Sequence, residues 1–129
     1  DVAVLAPDAR PAAGWLTRMA RTLESDASIA TVTPWSNAGE TVAFPRLGEC
    51  TPIPPQWDAI ARAAADISGD ALPLPAAVGH AILIRGAMRR RVGGLDATSY
   101  RSWYAALIDL SLRLQAFGAR NVLCTQAYV

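Results

Sequence analysis

The sequence predicts a single α/β domain that spans residues 1–129 and has a mixed or mostly parallel sheet flanked by helices. Two observations lead to this fold class. Short β-prone apolar runs alternate along the chain with stretches in which apolar residues recur at helical spacing. The first run, Asp1–Ala6, is apolar without polar alternation, which is typical of a buried parallel strand.

Four further segments are predicted to be extended. They are rich in β-branched or apolar residues and are bounded by Pro, Gly or Ser. The four segments are Ile29–Thr33, Leu72–Pro75, Val78–Ile84 and Asn121–Val129. The chain begins inside the first strand. We interpret this as a sign that the sequence is a piece of a longer protein.

Three helices are predicted from apolar residues at helical spacing. The first runs from Pro11, which suits a first turn, to about Ser25. The second covers Trp57 to Ile67, and the third runs from Tyr104 to Phe117, where Gly118 provides a C-terminal stop. A short basic turn is expected at Met88–Arg91.

The segment from Trp35 to Pro55 is predicted to be a long irregular loop. It is rich in Pro, Gly, Ser and Asn and shows little periodicity. Loops of this length in a compact domain usually carry function. Candidate contact residues for a ligand are therefore expected here.

Composition excludes several classes of protein. The net charge of +1 and the lack of a basic stripe make nucleic acid a poor partner. Cys50 and Cys124 have no metal-binding spacing, and two free thiols in a cytosolic protein are favoured over a disulfide. The longest apolar run, near Ala76–Ile84, is far shorter than the roughly 20 residues that span a bilayer.

Five segments carry a family resemblance, and their order and spacing are more specific than any one of them. They are DVAVLAPDARPAAGWL, TVTPWSNAGETVAFPRLGE, LPAAVGHAILIRG, RVGGLDATSY and IDLSLRLQAFGARNVLC. Together they resemble family 2 glycosyltransferases of the GT-A fold, in particular the bacterial rhamnosyltransferase-like branch. The chain is similar to the second half of that domain, which carries the metal-binding acid, the acceptor side and the catalytic base.

The resemblance implies an inverting transferase that moves a sugar from a nucleotide-sugar donor to a saccharide or lipid-linked acceptor in cell-surface polysaccharide synthesis. It also implies a nucleotide-binding half that would precede Asp1, a divalent cation (Mg²⁺ or Mn²⁺), and a location in the cytoplasm or at the inner face of the membrane. A half sheet would expose a strand edge, so we expect a homodimer through Asp1–Ala6 or a neighbouring strand.

The metal motif of the family falls on Ala6-Pro7-Asp8, where only the last acid is present. The resemblance therefore makes Asp8 the candidate metal ligand. Such cations keep water and phosphate oxygens as further ligands, so one carboxylate could suffice, although the metal site could also be lost. The alternative is that Asp8 caps the helix predicted from Pro11, and both roles could hold.

The base motif of the family falls on the segment before Asp109. Its paired acids correspond to Ala106 and Leu107, which cannot accept a proton. Asp109 is a candidate substitute, but two residues along a helix turn the side chain by about 200°, and Asp109 is better placed to pair with Arg113. His80 is the second catalytic candidate, because an imidazole titrates near neutral pH, and the alternative is a histidine satisfied in the core.

Four residues are candidates for substrate binding. Trp35, Asn37 and Arg46 lie in the long loop, where a ring can pack on a pyranose face and an amide can bind hydroxyls, or where all three could simply pack the loop. Asp96 follows Gly93-Gly94-Leu95 and matches an acid near the acceptor site of the family; the alternative is a turn-forming aspartate.

The departures from the family pattern concentrate where chemistry is expected, at positions 6, 106 and 107. They support a second hypothesis, a catalytically degenerate glycosyltransferase-like module used for binding or assembly. An unrelated α/β module is the third hypothesis.

Overall fold

The computed structural model describes all residues from 1 to 129 and confirms the predicted α/β class. The fold is a five-stranded mixed sheet with four helices. The strands are β1 (Val2–Leu5), β2 (Ile29–Trp35), β3 (Leu72–Leu74), β4 (Ala81–Ile84) and β5 (Arg120–Tyr128). The helices are α1 (Trp15–Glu24), α2 (Trp57–Ala65), α3 (Gly86–Val92) and α4 (Trp103–Ala116).

The strands lie in the order β1-β4-β2-β5-β3. The central pair, β2 and β5, is parallel, whereas β4 is antiparallel to both β1 and β2, and β3 is antiparallel to β5. Strands β1, β2 and β5 therefore point the same way. Their carboxyl ends lie at one end of the sheet, together with the start of β4.

The prediction that the first strand is a buried parallel strand is wrong. Strand β1 lies at the edge of the sheet and pairs antiparallel with β4 alone. Val2 and Leu5 are 37% and 38% exposed. An apolar run indicates that a segment forms a strand, but it does not indicate whether one or two other strands pair with it.

Apolar side chains cover both faces of the sheet because residues alternate between faces along each strand. Leu83 of β4 packs in a cluster with Met19 and Leu23 of α1. Its neighbours Ile82 and Ile84 pack instead in a cluster with Leu107, Leu110 and Leu114 of α4. Helix α1 and helix α4 thus cover opposite faces. Val42 of the long loop adds to the core in a small cluster with Leu74 and Leu123.

Helix α1 begins later than predicted, at Trp15 instead of Pro11. Its N-cap is Gly14, in a left-handed conformation (φ +76°), and no side chain caps it. Asp8 is consequently not the cap of this helix, and the alternative role predicted for it, helix capping, is wrong. The basic segment predicted as a turn at Met88–Arg91 lies within α3, which Gly93 ends.

The predicted strand at Val78–Ile84 begins only at Ala81. Residues 78–80 form a bend in which Gly79 has a φ of +137°, so His80 precedes the strand. The long segment after β2 is irregular, as predicted, and isolated bridges join Ser36 to Ala43 and Ala38 to Cys50. Both cysteines are free. None of the helices is long and apolar enough to cross a bilayer.

Candidate functional site

Polar residues from three separate segments meet where β1, β2 and β5 end and β4 begins. Asp8 follows β1, Ser36 and Asn37 follow β2, and His80 immediately precedes β4. A backbone hydrogen bond of 2.7 Å from Ala6 N to His80 O ties the turn that carries Asp8 to the histidine. In open α/β sheets, ligands bind at the ends of strands in this way.

The first cavity at this end, which we call the polar cavity, has a volume of about 180 Å³. The residues around it that can bind a ligand are Asp8, Arg10, Ser36, Asn37, His80 and Tyr128. Of the predicted site residues, Asp8, Asn37 and His80 are brought together here. Its size is below the range of roughly 300–1,000 Å³ that is usual for whole drug-sized ligands, so it suits a group the size of one sugar ring or phosphate.

The second cavity, which we call the aromatic cavity, has a volume of about 260 Å³. It is lined by Asp8, Glu40, Gly79, His80, Trp103 and Tyr104, among others. Asp8 and His80 therefore line both cavities. A ligand group in one cavity would lie next to a group in the other, with this carboxylate and this imidazole within reach of both.

His80 is held by the loop that follows β2. Its Nδ1 lies 3.4 Å from Ser36 Oγ, and which atom donates depends on the tautomer. Ser36 is only 2% exposed, so it acts on the imidazole from the protein side. This contact orients the ring of His80, which is partly exposed toward the cavities.

Asn37 is fixed by Thr51 across the long loop. Its amide nitrogen donates to the carbonyl oxygen of Thr51, and the hydroxyl of Thr51 donates to the carbonyl oxygen of Asn37 at 3.0 Å. Within the chain, Oδ1 of Asn37 has only a 3.5 Å contact with Ser36 Oγ. The side-chain oxygen of Asn37 can therefore accept a hydrogen bond from a ligand in the polar cavity.

The fit of a divalent cation to this site is limited. No group of three or more His, Cys, Asp or Glu side chains converges in a way that could hold a metal ion. Protein side chains alone would therefore not complete the shell of Mg²⁺ or Mn²⁺. Asp8 could hold such a cation only if donor phosphates and water supplied the remaining ligands.

Three predicted residues lie away from both cavities. Trp35 packs edge to face against Phe44, with ring centroids 6.1 Å apart, and lines a separate apolar pocket. Arg46 is exposed and pairs with Glu49 at 3.5 Å. Asp96 accepts hydrogen bonds from the backbone N–H groups of Thr98 and Ser99, at 3.0 and 2.9 Å.

These contacts favour the structural alternative for each of the three residues. Trp35 packs the loop, Arg46 forms a surface ion pair, and Asp96 forms a turn. Hydrogen bonds from Ser99, and secondarily from Thr98, hold the pKa of Asp96 below its usual value, so this carboxylate stays ionised.

Asp109, the first catalytic candidate, also lies away from the cavities. Its Oδ2 accepts hydrogen bonds from Nε and Nη2 of Arg113, as the i, i+4 spacing predicts. Ala106 and Leu107, which stand where the resemblance expects paired acids, are buried among apolar side chains of α4 and β4. This face of α4 belongs to the core.

Sequence reasoning missed Glu40, Trp103 and Tyr104. The hydroxyl of Tyr104 donates to Oε2 of Glu40, and the indole Nε1 of Trp103 lies 3.4 Å from the carbonyl oxygen of Gly79. The bond to Glu40 is the main reason why the pKa of Tyr104 lies above its ordinary value. The available signals were an acid in the long loop and two adjacent aromatic residues at the start of a helix.

Comparison with known proteins does not assign the chain to a family. No protein-family model, no curated protein and no solved structure matches it. The glycosyltransferase resemblance therefore stays a prediction that rests on the five sequence segments.

Proposed function

We propose that this chain is the acceptor-side half of a glycosyltransferase-like domain of the GT-A type. It would transfer a sugar from a nucleotide-sugar donor to a saccharide or lipid-linked acceptor, with inversion, in cell-surface polysaccharide synthesis. The observation that carries the proposal is the convergence of Asp8, Asn37 and His80 at the strand ends, in two adjoining cavities. Three of the residues selected from the sequence thus share one site.

The sizes of the cavities support a transferase that handles two small groups side by side. At about 180 and 260 Å³, each suits one sugar ring or phosphate and is too small for a complete nucleotide sugar. The nucleoside would then be bound by the nucleotide-binding half that the resemblance implies. The resemblance supports a location in the cytoplasm or at the inner face of the membrane.

The charges around the polar cavity suit the diphosphate end of a donor. Asp8 would hold the divalent cation, whose charge stabilises the departing diphosphate. Arg10 lines the same cavity and is suited to a phosphate oxygen. Asn37 would accept a hydrogen bond from a sugar hydroxyl through its free oxygen. His80, which lines both cavities, is one of the two catalytic candidates that the sequence suggests, and the other, Asp109, lines neither.

The proposal is tested by measuring whether the full-length protein from its natural host releases nucleoside diphosphate from a nucleotide sugar. The assay would use a panel of UDP-, GDP- and dTDP-sugars with Mg²⁺ or Mn²⁺ and simple saccharide acceptors. Asp8→Ala should lower turnover strongly, whereas Asp70→Ala, which removes an exposed acid that lines neither cavity, should not. Absence of turnover with every donor would overturn the transferase proposal.

A second candidate function is a binding module that has lost catalysis. The observation in its favour is that the two positions where the resemblance expects paired acids are buried: Leu107 packs in an apolar cluster, and Ala106 is 5% exposed. Calorimetry with the same nucleotide sugars and saccharides separates the two functions. Binding without turnover would favour the module, and binding with turnover the transferase.

A further inference from the structure

The aromatic cavity contains a carboxylate that comes from neither family motif. Glu40 belongs to the long loop after β2, and Tyr104 belongs to the first turn of α4, 64 positions further along the chain. The hydroxyl of Tyr104 donates to Oε2 of Glu40, which ties the loop to the helix at the edge of the cavity. This leaves Oε1 free for a ligand, because it receives no hydrogen bond from the chain.

We propose that the aromatic cavity is the acceptor subsite, in which Trp103 stacks on a pyranose ring and Glu40 takes the proton of the attacking hydroxyl. This inference rests on the proposed transferase function and assigns to it a base that stands on a different element from the family position. The acceptor class it names is a neutral pyranoside with a free hydroxyl.

Trp103 is presented for stacking. Its side chain is 40% exposed at the start of α4 and lines the cavity. The contact of Nε1 with the carbonyl oxygen of Gly79, at 3.4 Å, anchors the edge of the indole at the cavity. A pyranose carries a face of C–H bonds that packs on such a ring, and rigid aromatic side chains lose little conformational entropy in doing so.

Glu40 is better suited than His80 to receive the proton. His80 lines the polar cavity as well as the aromatic cavity, so it lies beside the place where the donor phosphates would be. Glu40 lines the aromatic cavity only. With the acceptor in the aromatic cavity and the donor phosphates in the polar cavity, Glu40 would be on the acceptor side, as an inverting displacement requires.

The step balances without any further reactant. The acceptor hydroxyl oxygen forms a bond to the anomeric carbon of the donor sugar, and the bond from that carbon to the phosphate oxygen breaks. The nucleoside diphosphate leaves with the electron pair of that bond, and the proton of the hydroxyl passes to Oε1 of Glu40. The proton then returns to water when the product leaves.

The test compares turnover with acceptor binding in matched variants. Turnover is the release of nucleoside diphosphate, and binding is measured by saturation-transfer NMR with methyl glycosides of glucose, galactose, mannose and rhamnose. Glu40→Gln should lower turnover by about 100-fold or more while acceptor binding is retained. Glu49→Gln, an exposed acid of the same loop outside both cavities, should lower neither.

Two further pairs of variants separate a chemical role from a structural one. Formate should restore part of the turnover of Glu40→Ala, because it can accept the proton in the vacated space, and it should not restore that of His80→Ala. Trp103→Ala should weaken acceptor binding about fivefold to tenfold, whereas Phe117→Ala, at the far end of the same helix, should leave it unchanged.

The failures of the two proposals can be told apart. If the wild-type protein releases no nucleoside diphosphate, the transferase function and this inference both fall. If the wild-type protein is active and Glu40→Gln is equally active, only the assignment of Glu40 falls. If Trp103→Ala binds the glycosides as the wild type does, the acceptor does not stack in the aromatic cavity.

Discussion

Arg113 binds Asp109 through two nitrogens, with Nε at 2.9 Å and Nη2 at 2.6 Å from the same carboxylate oxygen. The same guanidinium donates to the carbonyl oxygens of Val92 and Gly94, at the end of α3 and in the turn that follows. One side chain thus joins α4 to the segment that precedes it. Asp109 serves to hold that side chain in place.

Replacement of Arg113 by Ala should lower the free energy of unfolding by roughly 1–3 kcal/mol, because it leaves a carboxylate and two carbonyl groups without their donor. Arg62 is the matched control. It pairs with Asp58 at the same i, i+4 spacing, but the two side chains are 71% and 54% exposed, against 31% and 21% for Arg113 and Asp109.

Denaturant unfolding of both variants measures this difference. Arg62→Ala should change the free energy of unfolding by less than about 0.5 kcal/mol. Equal effects of the two substitutions would show that the bonds to Val92 and Gly94 add nothing to the stability of the fold.

Substitutions of Leu107 test whether the face of α4 on which the resemblance expects the catalytic base lies in the core. Leu107 is 1% exposed and packs with Ile82, Leu110 and Leu114, among others. Leu107→Glu would bury a charge without a partner and should destabilise the fold by more than about 4 kcal/mol. Leu107→Met, which conserves volume, should cost less than about 1.5 kcal/mol. A stable, folded Leu107→Glu protein would mean that this position reaches solvent or a site.

Asp26 should make the stability depend on pH in the acid range. A hydrogen bond from the backbone N–H of Ser28, at 2.8 Å, is the largest cause that holds the pKa of Asp26 below its ordinary value, and Arg120 contributes further. A depressed pKa stabilises the folded state above the ordinary aspartate value of about 3.9, and this stabilisation is lost as the pH falls through the lower folded value.

The comparison of wild type with Asp26→Asn at several pH values measures this contribution. The difference in unfolding free energy should be largest near neutral pH and should shrink as the pH falls below about 4. Asp70→Asn, which removes an exposed acid that has no salt bridge, should show no such trend. If the difference in unfolding free energy between wild type and Asp26→Asn grew as the pH fell, the ionised form of Asp26 would not stabilise the folded state.

The edge strand β1 should pair with a second copy of the chain. It is apolar and carries no proline or lysine to block association, whereas β3 at the other edge has three residues, one of which is Pro73. We expect a homodimer at high concentration by light scattering. Val2→Lys should make it monomeric, and Leu72→Lys on the opposite edge should not. A wild-type monomer at high concentration would contradict this prediction.

Local patterns predicted most of the elements. The apolar stripe of α4, its stop at Gly118 and the strand after it were predicted because helix and strand periodicity are local properties. The edge position of β1 could not be predicted from the sequence, since it depends on which strands pair. The late start of α1 depends on Gly14, whose left-handed conformation the sequence does not state.

The candidate site was predictable to the same extent. Asp8 was predicted because it follows the first strand and falls on the metal motif of the resemblance, Asn37 because it is an amide in the long polar loop, and His80 because it is an imidazole near the predicted acceptor side. The sequence did not predict that His80 precedes its strand. Glu40 and Tyr104 were missed because their contact depends on the path of a long loop over the start of α4. The path of this loop is not marked by any periodic pattern of apolar residues in the sequence.

The most direct test of the central claim is an amide NMR titration of the chain with methyl glycosides. If the two cavities around Asp8 and His80 form a sugar site, shifts should be confined to the Trp103 indole N–H, the Asn37 side-chain amide and the backbone of Gly79 and Glu40. The side-chain amides of Gln115 and Gln126, which bond to Pro75 and Ile67 away from the cavities, should not move. Shifts that cluster elsewhere, or no shifts at saturating sugar, would contradict the account.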